Sequence, residues 1–276
     1  MKLSPAALAL FTGIEHLDLC QCRGCGFRFF DPVLPGNSAF YEDLQRQIPT
    51  YYPVTCPGFE RILALAKKEG IKEVMDLGCG SGAFLDAAKE AGIQTHGLDL
   101  NSAAVANCRK RGHDVQNCTA EAYAASRPDR RFALVTAFEV MEHVPDPAAF
   151  FREGALLLAP GGYLGIAVPN GCGVHAIWNL SPYEWPPHHL SRWYRDNLRQ
   201  LGEQSGLEVV SISGDPLRSG QLREFMQRQE QMEVLLGRRS KSNGALREAV
   251  VWGYRLLFGR HYFEFGNSLH ALYRRR

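Results

Sequence analysis

Between residues 71 and 213, short apolar runs alternate with helical patterns, and no other feature constrains the chain as much. "IKEVMDL" (71–77) reads as a strand and "GAFLDAAKEAG" (82–92) as a helix closed by glycine. "IQTHGLDL" (93–100) and "SAAVANCRKRG" (102–112) repeat the pair, and a short strand is expected near "HDVQN" (113–117). "RFALVTAFEV" (131–140), "DPAAFFREGALLL" (146–158), "GYLGIAV" (162–168), "SRWYRDNLRQLGEQSG" (191–206) and "LEVVSIS" (207–213) carry it on. Such alternation predicts an α/β fold: right-handed βαβ units building a parallel sheet with helices on both faces. A chain of 276 residues, 45% apolar and 22% charged, can bury one large core plus a small appendage.

The turn after the first strand is unusual. In "VMDLGCGSGAF" (74–84), Gly78, Gly80 and Gly82 follow Asp76 at alternate positions. Glycine weakens strands and helices alike, so backbone geometry must outrank stability here. At the carboxyl edge of a parallel sheet such a turn lets a ligand approach backbone amides and a helix N-terminus. An acid at the strand's end repels a pyrophosphate but attracts an ammonium. Asp99 closes the second strand, where dinucleotide folds grip a ribose diol. A ligand with a cation near Asp76 and a ribose near Asp99 is required, and S-adenosylmethionine fits both.

The residues "DLGCGSG" (76–82), "GLDLN" (97–101), "TAEAY" (119–123), "FEVMEHVPDP" (138–147) and "LLLAPGGYLGIAVPN" (156–170) occur in one order and register. With them the chain closely resembles the class I S-adenosylmethionine-dependent methyltransferases, over about 71 to 213. "SLHALYRRR" (268–276) looks like that family's last, antiparallel strand. The resemblance implies a Rossmann-like seven-stranded sheet, with a small N-terminal segment (1–50), a cofactor-binding core (51–215) and a helical insertion before the final strand (216–276). It also implies that Gly78, Gly80 and Gly82 cradle the methionine part, with Asp76 near its amino group. Asp99 would bind the ribose hydroxyls and Leu100 lie against adenine. Ala120 and Glu121 would border the adenine edge, and Phe138 would sit beneath the sulfonium.

Two other classes compete. Gly78 to Ala83 also satisfies G-x-G-x-x-A, the turn of a nicotinamide oxidoreductase, but Asp76 would then face the pyrophosphate and no hydride-transfer set is apparent. A module that binds S-adenosylmethionine without turnover would not need a base. The chain offers one.

Methyl transfer is a displacement at carbon, so alignment is the main requirement. An oxygen nucleophile must also lose a proton, and His143, beside Glu142, is the candidate base. A loop brace of Glu142 and His143 is the plain alternative. Glu139, Glu142 and His143, with His189 in "PPHHLSRW" (186–193), also resemble the metal-binding set of small-RNA 2′-O-methyltransferases, and partly that of ubiquinone-pathway O-methyltransferases. His188 is the spare. A divalent ion there would hold hydroxyls and lower their pKa; a metal-free base is the expectation. The long aromatic segment 168–190 reads as a lid whose Trp178, Tyr183, Trp185, His188 and His189 wall the acceptor site, or else as a hydrophobic plug.

At the N-terminus, Cys20, Cys22 and Cys25 in "LCQCRGCGFRFFDP" (19–32) resemble one knuckle of a zinc ribbon. Zinc needs four ligands, and His16 or Cys56 would have to complete the set, so a metal-free hairpin is expected. The segments 216–237 and 245–263 read as helices for core or dimer packing. A net charge of +2 argues against a broad nucleic-acid surface, the basic stretches 237–242 and 273–276 reading as solvated. Eight scattered cysteines, no run long enough to span a bilayer, and an N-terminus with an early proline and no clear cleavage site lead us to expect a reduced cytoplasmic protein. The acceptor itself stays open.

Overall fold

A computed structural model describes residues 4–47, 57–173, 184–216 and 266–276. The helices expected over 216–237 and 245–263, together with Cys56, Trp178 and Tyr183, lie outside the described residues.

The core strands are β3 (Glu73–Leu77), β4 (Gln94–Leu98), β5 (Asp114–Gln116), β6 (Phe132–Phe138), β7 (Leu158–Pro169), β9 (Glu208–Gly214) and β10 (Ser268–Arg274). They form a seven-stranded sheet in the order β5-β4-β3-β6-β7-β10-β9. Pairing is parallel from β5 through β7, and β10 runs antiparallel to both β7 and β9. The order reverses beside β3, which puts the switch point at the end of that strand. In open α/β sheets a crevice opens there.

Successive strand residues enter opposite cores because side chains alternate across a pleated sheet. Met75, Val135 and Leu164 join one apolar cluster with Phe151 and Tyr273. Their neighbours Val74, Leu134 and Tyr163 join the other, with Phe59 and Phe84. The first face is covered by α6 (Ala120–Ser126), α7 (Pro147–Leu156) and α8 (Arg195–Gln204), the second by α3 (Pro57–Glu69) and α4 (Ala83–Glu90). Side-chain caps fix the starts of α5 (Ser102–Lys110), α6 and α7. Asn101 caps α5, Thr119 caps α6, and Asp146 caps α7 with Pro147 behind it.

The helix expected from 191 starts at Arg195 instead. Ser191–Arg192 forms β8, pairing antiparallel with β2 (Arg28–Asp31), which pairs in turn with β1 (Asp18–Gln21). This second, three-stranded sheet ties the N-terminal hairpin to the segment just before α8. Among the described residues, no helix is long and apolar enough to cross a membrane.

Candidate functional site

The glycine-rich turn takes a shape that other residues resist. Gly78, Gly80 and Gly82 have φ of 71°, 50° and 81°, all left-handed. A Cβ on Gly78 would also lie 2.5 Å from Val140 Cγ2. Gly82 stands at the N-cap of α4 with no side chain to accept from the first turn, which leaves those amides for a ligand.

Two acids stand beside the turn, one at the end of β3 and one just past β4. Asp76 is buried and accepts from Thr136 Oγ1, its cross-strand partner on β6, at 2.7 Å. Burial pushes its carboxyl up to about 8, against the Thr136 hydrogen bond, and nearby Asp99 adds to the rise. A carboxyl held neutral by desolvation becomes a good ammonium partner once a cation arrives. Asp99 accepts from the Gly80 amide through Oδ2 and from the Asn101 amide through Oδ1, both at 2.7 Å. Each oxygen keeps a lone pair for a ligand hydroxyl.

One cavity of about 250 Å³ joins this turn to the catalytic candidates. It runs from Asp76 and Gly78–Ser81, past Phe59, Phe84 and Phe138, to Glu139, Glu142, His143, His188 and His189. The three phenylalanines pack edge to face or tilted, with centroids 4.8–5.2 Å apart, and make a stiff apolar waist. Asp99, Leu100, Ala120 and Glu121 stand outside that cavity, along the adjoining strand ends and the start of α6. Leu100 is 71% exposed, an apolar surface free to meet a planar ring.

Beyond Phe138 the chain turns sharply. Glu139 is a non-glycine residue at φ 54°, a strained geometry that aims the following residues across the cavity mouth. Glu142 is 1% exposed, and neither carboxyl oxygen has a hydrogen-bond partner. Burial holds this carboxyl well above the usual range, and the charge of Glu139 raises it further. Glu139 is itself raised by burial.

His143 donates Nδ1–H to the His188 carbonyl at 2.6 Å, because a carbonyl can only accept. In the neutral ring the lone pair is therefore on Nε2, which faces Glu142 Oε1 at 3.5 Å. Burial, and then the neighbouring His188 and His189, keep His143 well below its ordinary pKa. The segment leading into β8 supplies the other side: His189 Nε2 lies 4.0 Å from Glu142 Oε1, and His189 Nδ1 lies 3.5 Å from Glu184 Oε2. Burial opposes ionisation of Glu184, but hydrogen bonds and charge from His189 and Arg192 outweigh it and hold its pKa at about 2.

His143, His188 and His189 offer ligand atoms within 4.8 Å of one another. His188, the spare in the sequence reading, is as close as the others. Among the described residues no comparable group includes Cys20, Cys22 and Cys25. The two knuckle amides of Cys25 and Gly24 and the Cys25 thiol bond to Cys22 and lower its pKa.

Several contributors were not picked out in the sequence. Glu184 is fixed by Arg192, eight positions later, a spacing with no periodic meaning. Phe59 belongs to α3, whose buried Phe59, Ile62 and Ala66 follow a helical spacing that was legible. Tyr41, from α2 (Ser38–Gln47), sets its ring edge-on to His143 at 6.2 Å, and nothing local signals that meeting. Trp185, unlike these, was a candidate from the sequence; it packs on Phe30 of the hairpin, centroids 5.3 Å apart, and is not among the residues lining the cavity.

This is the fold and the turn of a Rossmann-like methyltransferase. Residues 45–212 match a family model described as a methyltransferase domain. A ubiquinone biosynthesis O-methyltransferase from Stutzerimonas stutzeri (strain A1501) is 38% identical over 225 residues, covering 74% of this chain and 88% of that protein. One of the same description from Nitrosospira multiformis is 30% identical over 219 residues, covering 74% and 85%. A solved methyltransferase dependent on S-adenosylmethionine from Archaeoglobus fulgidus shares the fold, with TM-score 0.56 at 20% identity over 86% of this chain and 100% of that one. So does magnesium protoporphyrin IX methyltransferase from Synechocystis PCC 6803 with bound S-adenosylhomocysteine, with TM-score 0.52 at 12% identity over 85% and 94%. The chain belongs to the methyltransferase-domain family and is an S-adenosylmethionine-dependent methyltransferase. These likenesses favour neither the nicotinamide oxidoreductase nor the non-catalytic module.

Proposed function

We propose that this enzyme methylates a hydroxyl oxygen of a small molecule, with His143 as the base. S-adenosylmethionine supplies an electrophilic methyl group on a sulfonium. Asp76 would hold its ammonium, the first turn of α4 its carboxylate and Asp99 its ribose. Phe59, Phe84 and Phe138 keep water from the path between the turn and the histidines. His143 Nε2 takes the hydroxyl proton, and its Nδ1–H bond to the His188 carbonyl holds the ring in that tautomer.

The observation that carries the reading is the buried Glu142 carboxyl, without a hydrogen-bond partner in the wall of the cavity that also holds the glycine turn. A buried polar group lacking a partner is costly. A bound hydroxyl would supply one, beside the base. The relatives' description as ubiquinone biosynthesis O-methyltransferases supports oxygen as the accepting atom and a phenolic hydroxyl as the first acceptor to try. Transfer of label from S-adenosylmethionine to a panel of catechols, phenols, amines and carboxylates tests this, with O-methylated catechol or phenol as the expected product.

The histidine cluster favours one second reading, in which a divalent cation sits among His143, His188 and His189 near Glu142. Three imidazoles and a carboxylate suit such an ion. It would polarise the hydroxyl in place of a base. Loss of turnover in EDTA with recovery on adding Mg²⁺, Mn²⁺ or Zn²⁺ would select it over the metal-free base.

A further inference from the structure

A second cavity, of about 150 Å³, opens where four parts of the chain meet. Cys25 and Phe27 come from the N-terminal hairpin, Pro147 from the start of α7, Trp193 from just past β8, and Asn197 and Leu201 from α8. Phe27 and Trp193 tilt against each other, centroids 4.9 Å apart. Among the described residues, none lines both this cavity and the one that holds the glycine turn.

Two polar groups in its wall are left over. Asn197 Nδ2 donates to the Cys25 carbonyl at 2.9 Å, and a carbonyl can only accept, so the amide has one orientation and Oδ1 is a fixed acceptor. Among the described residues Asn197 Oδ1 has no donor, and Trp193 Nε1, which can only donate, has no acceptor. Both side chains are more than nine-tenths buried, where an unpaired polar atom is costly. A hydroxyl both donates and accepts, and so would complete the pair. A water would too, but it fills only about 30 Å³ and leaves the apolar remainder empty. Among the described residues the wall holds no Asp, Glu, Lys, Arg or His, so an ionised ligand would lose its hydration without a partner. The volume is about that of a cavity that admits one benzene-sized ring.

We propose that this cavity is a second ligand site, for a small neutral phenol or aromatic alcohol. The ligand's hydroxyl pairs with Trp193 Nε1 and Asn197 Oδ1, and its ring lies among Phe27, Trp193 and Leu201. The site adjoins both catalytic segments in sequence: Pro147 follows His143 by four residues, and Trp193 follows His189 by four. It does not depend on which atom the enzyme methylates.

The test is calorimetric titration of the full chain with phenol at neutral pH, with S-adenosylhomocysteine present throughout. We expect saturable binding of phenol. Toluene, of the same size without the hydroxyl, binds about fivefold to tenfold more weakly, the worth of roughly one hydrogen bond. Benzoate does not bind. Trp193→Phe keeps a ring but removes the N–H, and lowers phenol affinity by about the same factor. Ala148→Leu fills the cavity from α7 and abolishes the site. In the unmodified chain, saturating phenol slows iodoacetamide labelling of Cys25 relative to exposed Cys172, a readout that stands if either variant misfolds. Phenol affinity unchanged in both variants would place phenol in the other cavity and overturn the second site. Toluene binding as tightly as phenol, or Cys25 labelled at the same rate with and without phenol, would overturn it too.

Discussion

Asp99 Oδ2 accepts the Gly80 amide at 2.7 Å, joining the end of β4 to the turn after β3 across 19 residues of sequence. The same carboxylate is the one to which we assign the ribose, and it would then shape the site as well as bind the ligand. Asp99→Ala should weaken S-adenosylhomocysteine binding by about 1–3 kcal/mol, the cost of losing hydrogen bonds to a charged group. Calorimetry reads this directly. Unchanged affinity would mean that the ribose lies elsewhere.

Asp76 makes cofactor binding depend on pH. Its folded value of about 8 lies above its unfolded value, so the ligand-free protein holds a proton there through neutral pH. A ligand ammonium favours the ionised form, and binding therefore releases that proton. Affinity for S-adenosylhomocysteine should rise from pH 6 towards 8, by up to about tenfold per pH unit, and level off above. Asp76→Asn should flatten the profile and bind weakly throughout. A flat profile in the unmodified chain would remove Asp76 from the ammonium site.

Gly78 faces two obstacles to substitution, and they can be separated. Gly78→Ala places a Cβ 2.5 Å from Val140 Cγ2 and puts a non-glycine residue at φ 71°. We expect a stability loss of at least about 1–2 kcal/mol and loss of cofactor binding. Adding Val140→Ala relieves the clash but not the backbone strain, so denaturant midpoints should recover in part. Full recovery would show that steric fit alone selects glycine.

The architecture and the cofactor turn were legible because they depend on local pattern: strand–helix alternation, a glycine-rich turn, and acids at strand ends. The catalytic surroundings were legible in part. Glu142 and His143 stand in one short stretch, but their partners come from places that no periodicity links. Glu184 and Arg192 meet where the chain enters β8, and Tyr41 arrives from an N-terminal helix. Ser191 and Arg192 carry a helical-looking pattern yet pair with β2, since a sheet edge offered by another segment overrides local propensity.

Glu142 should weaken the ligand-free fold. Its folded pKa is raised, so the native state binds the proton more tightly than the unfolded chain. Its contribution to stability is therefore lost as pH rises from the ordinary carboxylate range towards the raised value. Glu142→Gln keeps the shape without the titration. Its stability relative to the unmodified chain should grow from pH 5 to pH 8 in urea melts, while turnover falls. A stability difference independent of pH would show that the carboxyl titrates normally.

The most direct test of the central claim is the initial rate of labelled methyl transfer from S-adenosylmethionine to a catechol, measured in parallel for the unmodified chain and His143→Ala. We expect O-methylated product from the unmodified chain. His143→Ala should turn over roughly 10² to 10⁴ times more slowly, at nearly unchanged cofactor affinity. Equal rates for the two proteins would contradict the role of His143 as base.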